Sequence, residues 1–229
     1  FKLAPRLNAA GRMAHARLAA ELLKTDRAEK AQRIARRLNH LNEHRKKTES
    51  RIMAEIESHL KDRPGELSRK ALVLAQHNWH EGVLGIVAAR LTERYCRPVV
   101  LISIAGQIGQ GSARSIPGFD LFGGLTACGD HLEKYGGHAM AAGLSLEGEC
   151  LDSFCDVFEE AVRRVLGHEA LRPELARAFP WPVHIVAREE TRKHYAAAFG
   201  RRGGLAAVLY LPAAVALVLL VTAIVRQQI

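Results

Sequence analysis

Three observations predict an α/β chain with a long helical lead-in. Short apolar runs alternate with helical patterns between residues 68 and 168. Ahead of them, residues 26–61 keep a helical apolar spacing. Beyond them, residues 169–229 lose that periodicity and end in an uncharged stretch. Strands alternating with helices are the signature of a small α/β domain.

The first twelve residues, with Pro5 and Gly11 as breakers, are expected to form an irregular loop. A short helix follows from about His15 to Lys24. Asp26 then caps a second helix, with Glu29 three residues on completing a capping box. Ile34, Leu38, Leu41, Ile52, Ile56 and Leu60 hold one face of that helix, whereas Asn42 to Arg51 is almost wholly polar. A core helix would not tolerate such a middle; a helix bridging two lobes, solvated halfway, would. Pro64-Gly65 ends it.

Ala71 to Ala75 then suits a buried strand, Glu81 to Tyr95 a helix, and Pro98 to Ile104 a second, β-branched strand. Gly111 to Ser115 forms a third strand or strand edge. Helices follow near Leu121–Lys134 and Leu151–Leu166. In the tail, Leu205 to Val225 is 21 residues without a charge, flanked by Arg201, Arg202 and Arg226. That composition meets the criterion for a membrane span. A fused or shifted reading frame in a GC-rich gene would write similar Ala/Arg/Leu/Val-rich text. The chain opens on Phe1 rather than Met, as expected of a piece whose N-terminus lies upstream.

The formal net charge of +9 is uneven. Residues 1–170 carry 25 Lys/Arg against 21 Asp/Glu, and residues 171–229 carry 8 against 3. The body is only mildly basic, so nucleic-acid binding must come from a local cluster rather than a global field. Cys96, Cys128, Cys150 and Cys155 form no CxxC pair, and no secretory signal precedes them. They suit free thiols in a reducing cytoplasm, not a disulfide framework or a zinc site.

The chemistry concentrates in Gly109-Gln110-Gly111-Ser112-Ala113-Arg114-Ser115 and Gly136-Gly137-His138-Ala139-Met140-Ala141-Ala142-Gly143. Glycines let a backbone approach a ligand and offer its N–H groups. Arg114, Ser112 and Ser115 add donors for phosphate oxygens. The pair therefore reads as a phosphate-binding surface built from two loops, with Gly111, Gly136, Gly137 and His138 in contact with the ligand. Arg6, Asn8 and Arg12, around Gly11, could add phosphate and sugar contacts, or could instead bind neighbouring helix ends. Trp79 could stack on a base or sit in the core, and Asn78 or His80 could cap the helix beginning near Glu81. No Asp-rich cluster, Walker loop or HExxH occurs, so the chain has a phosphate-gripping half without a catalytic residue or metal ligand of its own.

At these residues the sequence resembles the RecJ family of single-strand-specific DNA exonucleases, in the DHH phosphoesterase superfamily. The resemblance runs from about residue 3 to 166. It is carried by Pro5-Arg6-Leu7-Asn8-Ala9-Ala10-Gly11-Arg12, Trp79 to Ala88, Gly111 to Ser115 and Gly136 to Gly143, in that order. It implies that residues 1–25 end a DHH domain, 26–64 form the interdomain connector helix and 68–168 form a DHHA1 domain with a mixed sheet, followed by an atypical tail, 169–229.

The resemblance also implies a 5′→3′ exonuclease of DNA recombination and repair. Its Mn²⁺ or Mg²⁺ ligands would lie upstream of Phe1, and this chain alone would be inactive. Arg6, Ser112 and Arg114 would hold phosphates near the 5′ end, with His138 beside the scissile region. Single-stranded DNA is the implied partner, with a helicase or single-strand-binding protein as further candidates. A DHH-type oligoribonuclease or cyclic-dinucleotide phosphodiesterase is the close alternative. Only two glycines precede His138 and the segment Pro5 to Arg12 is present, both of which favour RecJ. A membrane-held, inactive binding module is the alternative from another class.

Overall fold

The computed structural model describes residues 3–167. Two helices, α1 (Ala4–Met13) and α2 (Arg17–Lys24), precede α3 (Ala28–Asp62). Then come β1 (Leu72–His77), α4 (Glu81–Tyr95), β2 (Val99–Ala105), β3 (Ile108–Arg114), α5 (Leu121–Thr126), β4 (Lys134–His138), β5 (Ala141–Glu147) and α6 (Leu151–Leu166). The sheet order is β1-β2-β3-β5-β4. β1 and β2 run parallel across the α4 crossover, and the remaining pairs are antiparallel.

Alternation along the strands gives the sheet two different faces. Leu72, Leu74, Val99 and Leu101 pack with Val83, Leu84, Val87 and Leu91 of α4 and with Ile52 and Ile56 of α3. Val100, Ile102, Ala113, Ala142, Leu144 and Leu146 face the other way. They bury against Leu121 and Leu125 of α5 and Phe154, Phe158 and Val162 of α6. A third, smaller cluster, Ala10, Ile34 and Leu38, joins α1 to α3.

The structure departs from the sequence reading in several places. Residues 4–13 are helix, not loop. Pro5 lies in the first turn, where its missing N–H costs nothing, and Ala9 and Ala10 are buried. Asp26 does not cap α3: Arg27 holds that position with no side-chain cap. The middle of α3 is not simply solvated. Asn42 and Glu49 are buried, with Arg45 between them donating to Asn42 Oδ1 at 3.2 Å and Glu49 Oε2 at 3.1 Å. Arg90 of α4 completes this row, 2.6 Å from Glu49 Oε1.

The helix expected over 121–134 stops at Thr126, and the chain turns through a 3₁₀ segment into β4. The Gly136–Gly143 segment is then a hairpin of two strands rather than a loop. Among the described residues no helix is long and apolar enough to cross a membrane. The 205–225 segment and the rest of the tail from 168 lie outside the described residues.

Candidate nucleic-acid interface

Strand pairing assembles the two Gly-rich segments into one surface. Ser112 on β3 pairs with Gly143 on β5, which pairs with Gly136 on β4. One row further, Arg114 pairs with Ala141 and Ala141 with His138. Paired residues share a face, so these six point to the side of the sheet that carries α4. At a strand spacing of about 4.8 Å, Arg114 and His138 lie about 10 Å apart across the sheet. Gly143 and every residue of β4 are exposed. The result is a shallow, glycine-paved strip with an arginine at one end and a histidine at the other.

Two glycines on α4 bring the cations to this strip. A Cβ at Gly82 would stand 2.1 Å from the carbonyl oxygen of Arg12, so only glycine lets the end of α1 rest on the first turn of α4. Arg12 Nη1 in turn donates to the Gly82 carbonyl at 3.2 Å. One helical turn on, a Cβ at Gly85 would stand 2.6 Å from Arg114 Nη2 and 3.0 Å from Ser112 Oγ. Arg114 lies in that notch, with Nη1 donating to Ser112 Oγ at 3.3 Å and to the Ala113 carbonyl at 2.7 Å.

Burial lowers the Arg114 pKa from its ordinary value, and the positive charge of Arg12 lowers it further. A guanidinium stays protonated under such a shift. Two arginines are therefore held close enough to repel, half-buried, and neither forms an ion pair with a carboxylate among the described residues. A bound anion relieves that repulsion and takes up the unused donors.

His138 is exposed, and its Nδ1 accepts from the Met140 N–H at 3.3 Å. The neutral ring therefore carries its proton on Nε2, a donor available on the open strip. Asn8 is exposed one turn before Arg12 on the same face of α1.

Other expected site residues are placed differently. Arg6 is turned to α3, its Nε donating to Asn39 Oδ1 at 2.5 Å. Ser115 is buried, and its hydroxyl donates to the Phe119 carbonyl at 2.7 Å, holding the turn after β3. Gly111 points to the opposite face from Ser112 and Arg114. A Cβ there would stand 3.0 Å from Leu144 Cδ1, so its missing side chain makes room for the core. Gly137 also serves the hairpin, as a Cβ would stand 2.3 Å from the Ala141 carbonyl oxygen.

Trp79 is buried with its indole N–H donating to Glu55 Oε2 at 2.8 Å, and it belongs to the core. His80, not Asn78, caps α4: its Nδ1 accepts from the Gly82 N–H at 3.2 Å. The sequence shows Gly82 and Gly85 within the Trp79–Ala88 motif but gives them no role at the site, although two glycines three apart inside a helix are a visible sign of close approach.

Among the described residues no group of three or more His, Cys, Asp or Glu could hold a metal ion. The inward acids are engaged elsewhere: Glu49 with Arg45 and Arg90, Glu55 with Trp79, and Glu159 with the backbone of Lys70 and Ala71. The donors gathered around Arg12, Ser112 and Arg114 are cationic and hydroxyl groups, a set that suits an anion.

Residues 68–164 match the DHHA1 domain. The single-stranded-DNA-specific exonuclease RecJ of Bacillus subtilis is 38% identical over 175 residues, covering 76% of this chain and 22% of that protein. The protein of the same name from Escherichia coli is 36% identical over 187 residues, covering 79% and 32%. The chain belongs to the RecJ family. A crystal structure of RecJ from Thermus thermophilus with Mn²⁺ matches at TM-score 0.65 and 35% identity, over 72% of this chain and 24% of that one. A structure of exonuclease RecJ bound to manganese matches at TM-score 0.65 and 32% identity, over 78% and 42%. This RecJ-family chain thus spans about a quarter to a third of the length of the curated relatives named here.

Proposed function

We propose that this chain is the strand-holding part of a divalent-metal-dependent exonuclease that degrades single-stranded DNA from its 5′ end in recombination and repair. The observation that carries the reading is the pairing of Arg12 with Arg114 over Gly82 and Gly85, without a carboxylate, at the edge of an open glycine-paved strip. In this reading Arg12, Ser112 and Arg114 take the terminal phosphate. The backbone and open faces of Gly136 and Gly143 let the strand lie close, and His138 Nε2 donates to a phosphate further along. Asn8 reaches the sugar from α1. Nothing on the strip offers a base-specific pattern of donors, which suits binding through the backbone with little sequence preference.

The metal ions that activate water are held by residues outside this chain. The chain alone therefore binds strand and releases no nucleotide. A helicase or single-strand-binding protein is the class of partner that would supply the free strand.

A salt titration of the chain on single-stranded DNA, with and without a 5′-phosphate, tests the reading. Salt-sensitive binding that tightens with the phosphate supports it, and Arg114→Ala then weakens binding on all sequences alike. Binding indifferent to the phosphate removes the end pocket. An Arg114→Ala loss confined to one sequence overturns the backbone grip. Mn²⁺-dependent release of nucleotides by the purified chain overturns the division of labour.

A further inference from the structure

The outer side of α3 is a second concentration of positive charge. Ile34, Leu38, Ile52 and Ile56 turn inward from this helix. On the opposite side Arg33, Arg36, His40 and Lys47 follow at helical spacing, flanked by Arg37 and His44, and all six are exposed. From Arg33 to Lys47 the row is about 21 Å long at 1.5 Å per residue.

Neighbouring cations on the same helix are neutralised. Lys46 pairs with Glu43 at 3.2 Å, Arg51 with Glu55 at 2.9 Å, and Lys30 with Glu21 at 3.8 Å. Arg33, Arg36, Arg37 and Lys47 enter no ion pair among the described residues. Cations three and four residues apart repel one another. Two exposed acids, Glu29 and Glu43, share this face, and Glu43 is taken by Lys46, so the face keeps an excess of positive charge.

The helix that carries this row also packs, through Ile34 and Leu38, on Ala10 of α1. Arg6 of α1 donates to Asn39, one turn along α3 from Arg36, and α1 ends at the Arg12 that rests on Gly82. We propose that the outer face of α3 binds the phosphodiester backbone of a single strand, as a continuation of the strand whose 5′ end sits at Arg12, Ser112 and Arg114. The proposal takes its ligand class from the function proposed above. An anionic membrane is the poorer occupant. Membrane-surface helices set large apolar residues beside their cations, and no exposed large hydrophobic among the described residues lies on α3.

The test compares the chain with its Arg33→Gln/Arg36→Gln/Lys47→Gln variant, after thermal melts establish that both are folded. The probes are 5′-phosphorylated single strands of about 6 and about 40 nucleotides, titrated with salt. For the long strand the slope of log K against log salt should shrink by about 2, near 0.7 for each lost charge. Its affinity in 0.1 M salt should fall about tenfold or more. The short strand and the preference for a 5′-phosphate should be unaffected.

An unchanged long-strand slope overturns the proposal, and so does an equal loss on both lengths. Phosphatidylserine vesicles give the other control: a variant that loses vesicle binding while keeping the long strand assigns the face to membrane and overturns the proposal. If the chain lacks a 5′-phosphate preference yet the variant still flattens the long-strand slope, the end pocket fails and the α3 surface stands.

Discussion

The guanidinium of Arg114 occupies the space that a side chain at residue 85 would fill: a Cβ on Gly85 would stand 2.6 Å from Arg114 Nη2. The direction of the cation is thus set by a missing methyl on the helix beneath it. The clashing atoms belong to the flexible end of a side chain, so Gly85→Ala lets Arg114 swing away at little cost. Alanine also stabilises a helix interior by about 0.5–1 kcal/mol over glycine. Stability and binding should therefore move in opposite directions. Thermal melting should show a stability equal to or above that of the parent chain. The affinity for a 5′-phosphorylated strand should drop about tenfold, as a charge-assisted bond of about 1.5–3 kcal/mol is lost. Unchanged affinity would mean that the posture of Arg114 is irrelevant to the anion.

The sequence could carry the alternation of Ser112 and Arg114 onto one face, because a strand has a period of two whatever surrounds it. It could also carry α4 and α6, whose apolar spacing is local. It could not carry β4 and β5. Gly136, Gly137 and Gly143 have low strand propensity, and Ala139 to Ala142 lacks an alternating pattern. These residues are strands because β5 pairs along β3, a contact that no local spacing encodes. The helix at Ala4–Met13 was hidden for a related reason. Pro5 and Gly11 read as breakers until Ala10 packs on Ile34 and Leu38. Ser115, counted with its neighbours from sequence, faces the core because it falls on the other parity from Arg114.

Glu159 ties α6 to the start of β1. Its carboxylate accepts from the Lys70 N–H and the Ala71 N–H, each at 2.9 Å, and from Arg163 Nη2 at 3.1 Å. Glu159→Ala removes the acceptor of two backbone donors and opens a gap on a buried side chain. The expected loss is about 2–4 kcal/mol in urea unfolding, with Glu159→Gln intermediate because one of its two acceptor oxygens becomes a donor. A loss below about 0.5 kcal/mol would show that this tie contributes nothing.

Cys128 links stability to alkaline pH. Burial pushes its thiol from 9.0 up to about 11, and its Sγ lies 3.3 Å from the Gly124 carbonyl. The folded state therefore holds this proton more tightly than the unfolded state. The resulting stability is whole below about 9 and is lost as pH rises through about 11. The melting temperature should fall across that window, and the fall should be shallower in Cys128→Ala, whose absolute stability differs for packing reasons. Burial pushes Cys155 up to about 11 as well, so some slope should survive in the single variant. Coincident slopes for the two proteins would show that Cys128 does not titrate in this way.

Gly136 and Gly137 are adjacent in sequence, and the fold needs only the second. Gly137 sits at φ +152°, and a Cβ there would stand 2.3 Å from the Ala141 carbonyl oxygen and 2.5 Å from the Ala142 Cα, both backbone atoms. Around Gly136 a Cβ would meet nothing within 4 Å, and its φ is unexceptional. Gly137→Ala should therefore break the hairpin, costing about 1–3 kcal/mol and raising hydrogen exchange along β4 and β5. Gly136→Ala should leave melting and exchange as they are. Its methyl would stand on the open strip in the row of Gly143 and Ser112, where the strand has to lie close. Binding of single-stranded DNA should then weaken with the fold intact. If Gly136→Ala binds as well as the parent chain, the strand does not approach β4, and the path runs along β3 and α4 alone.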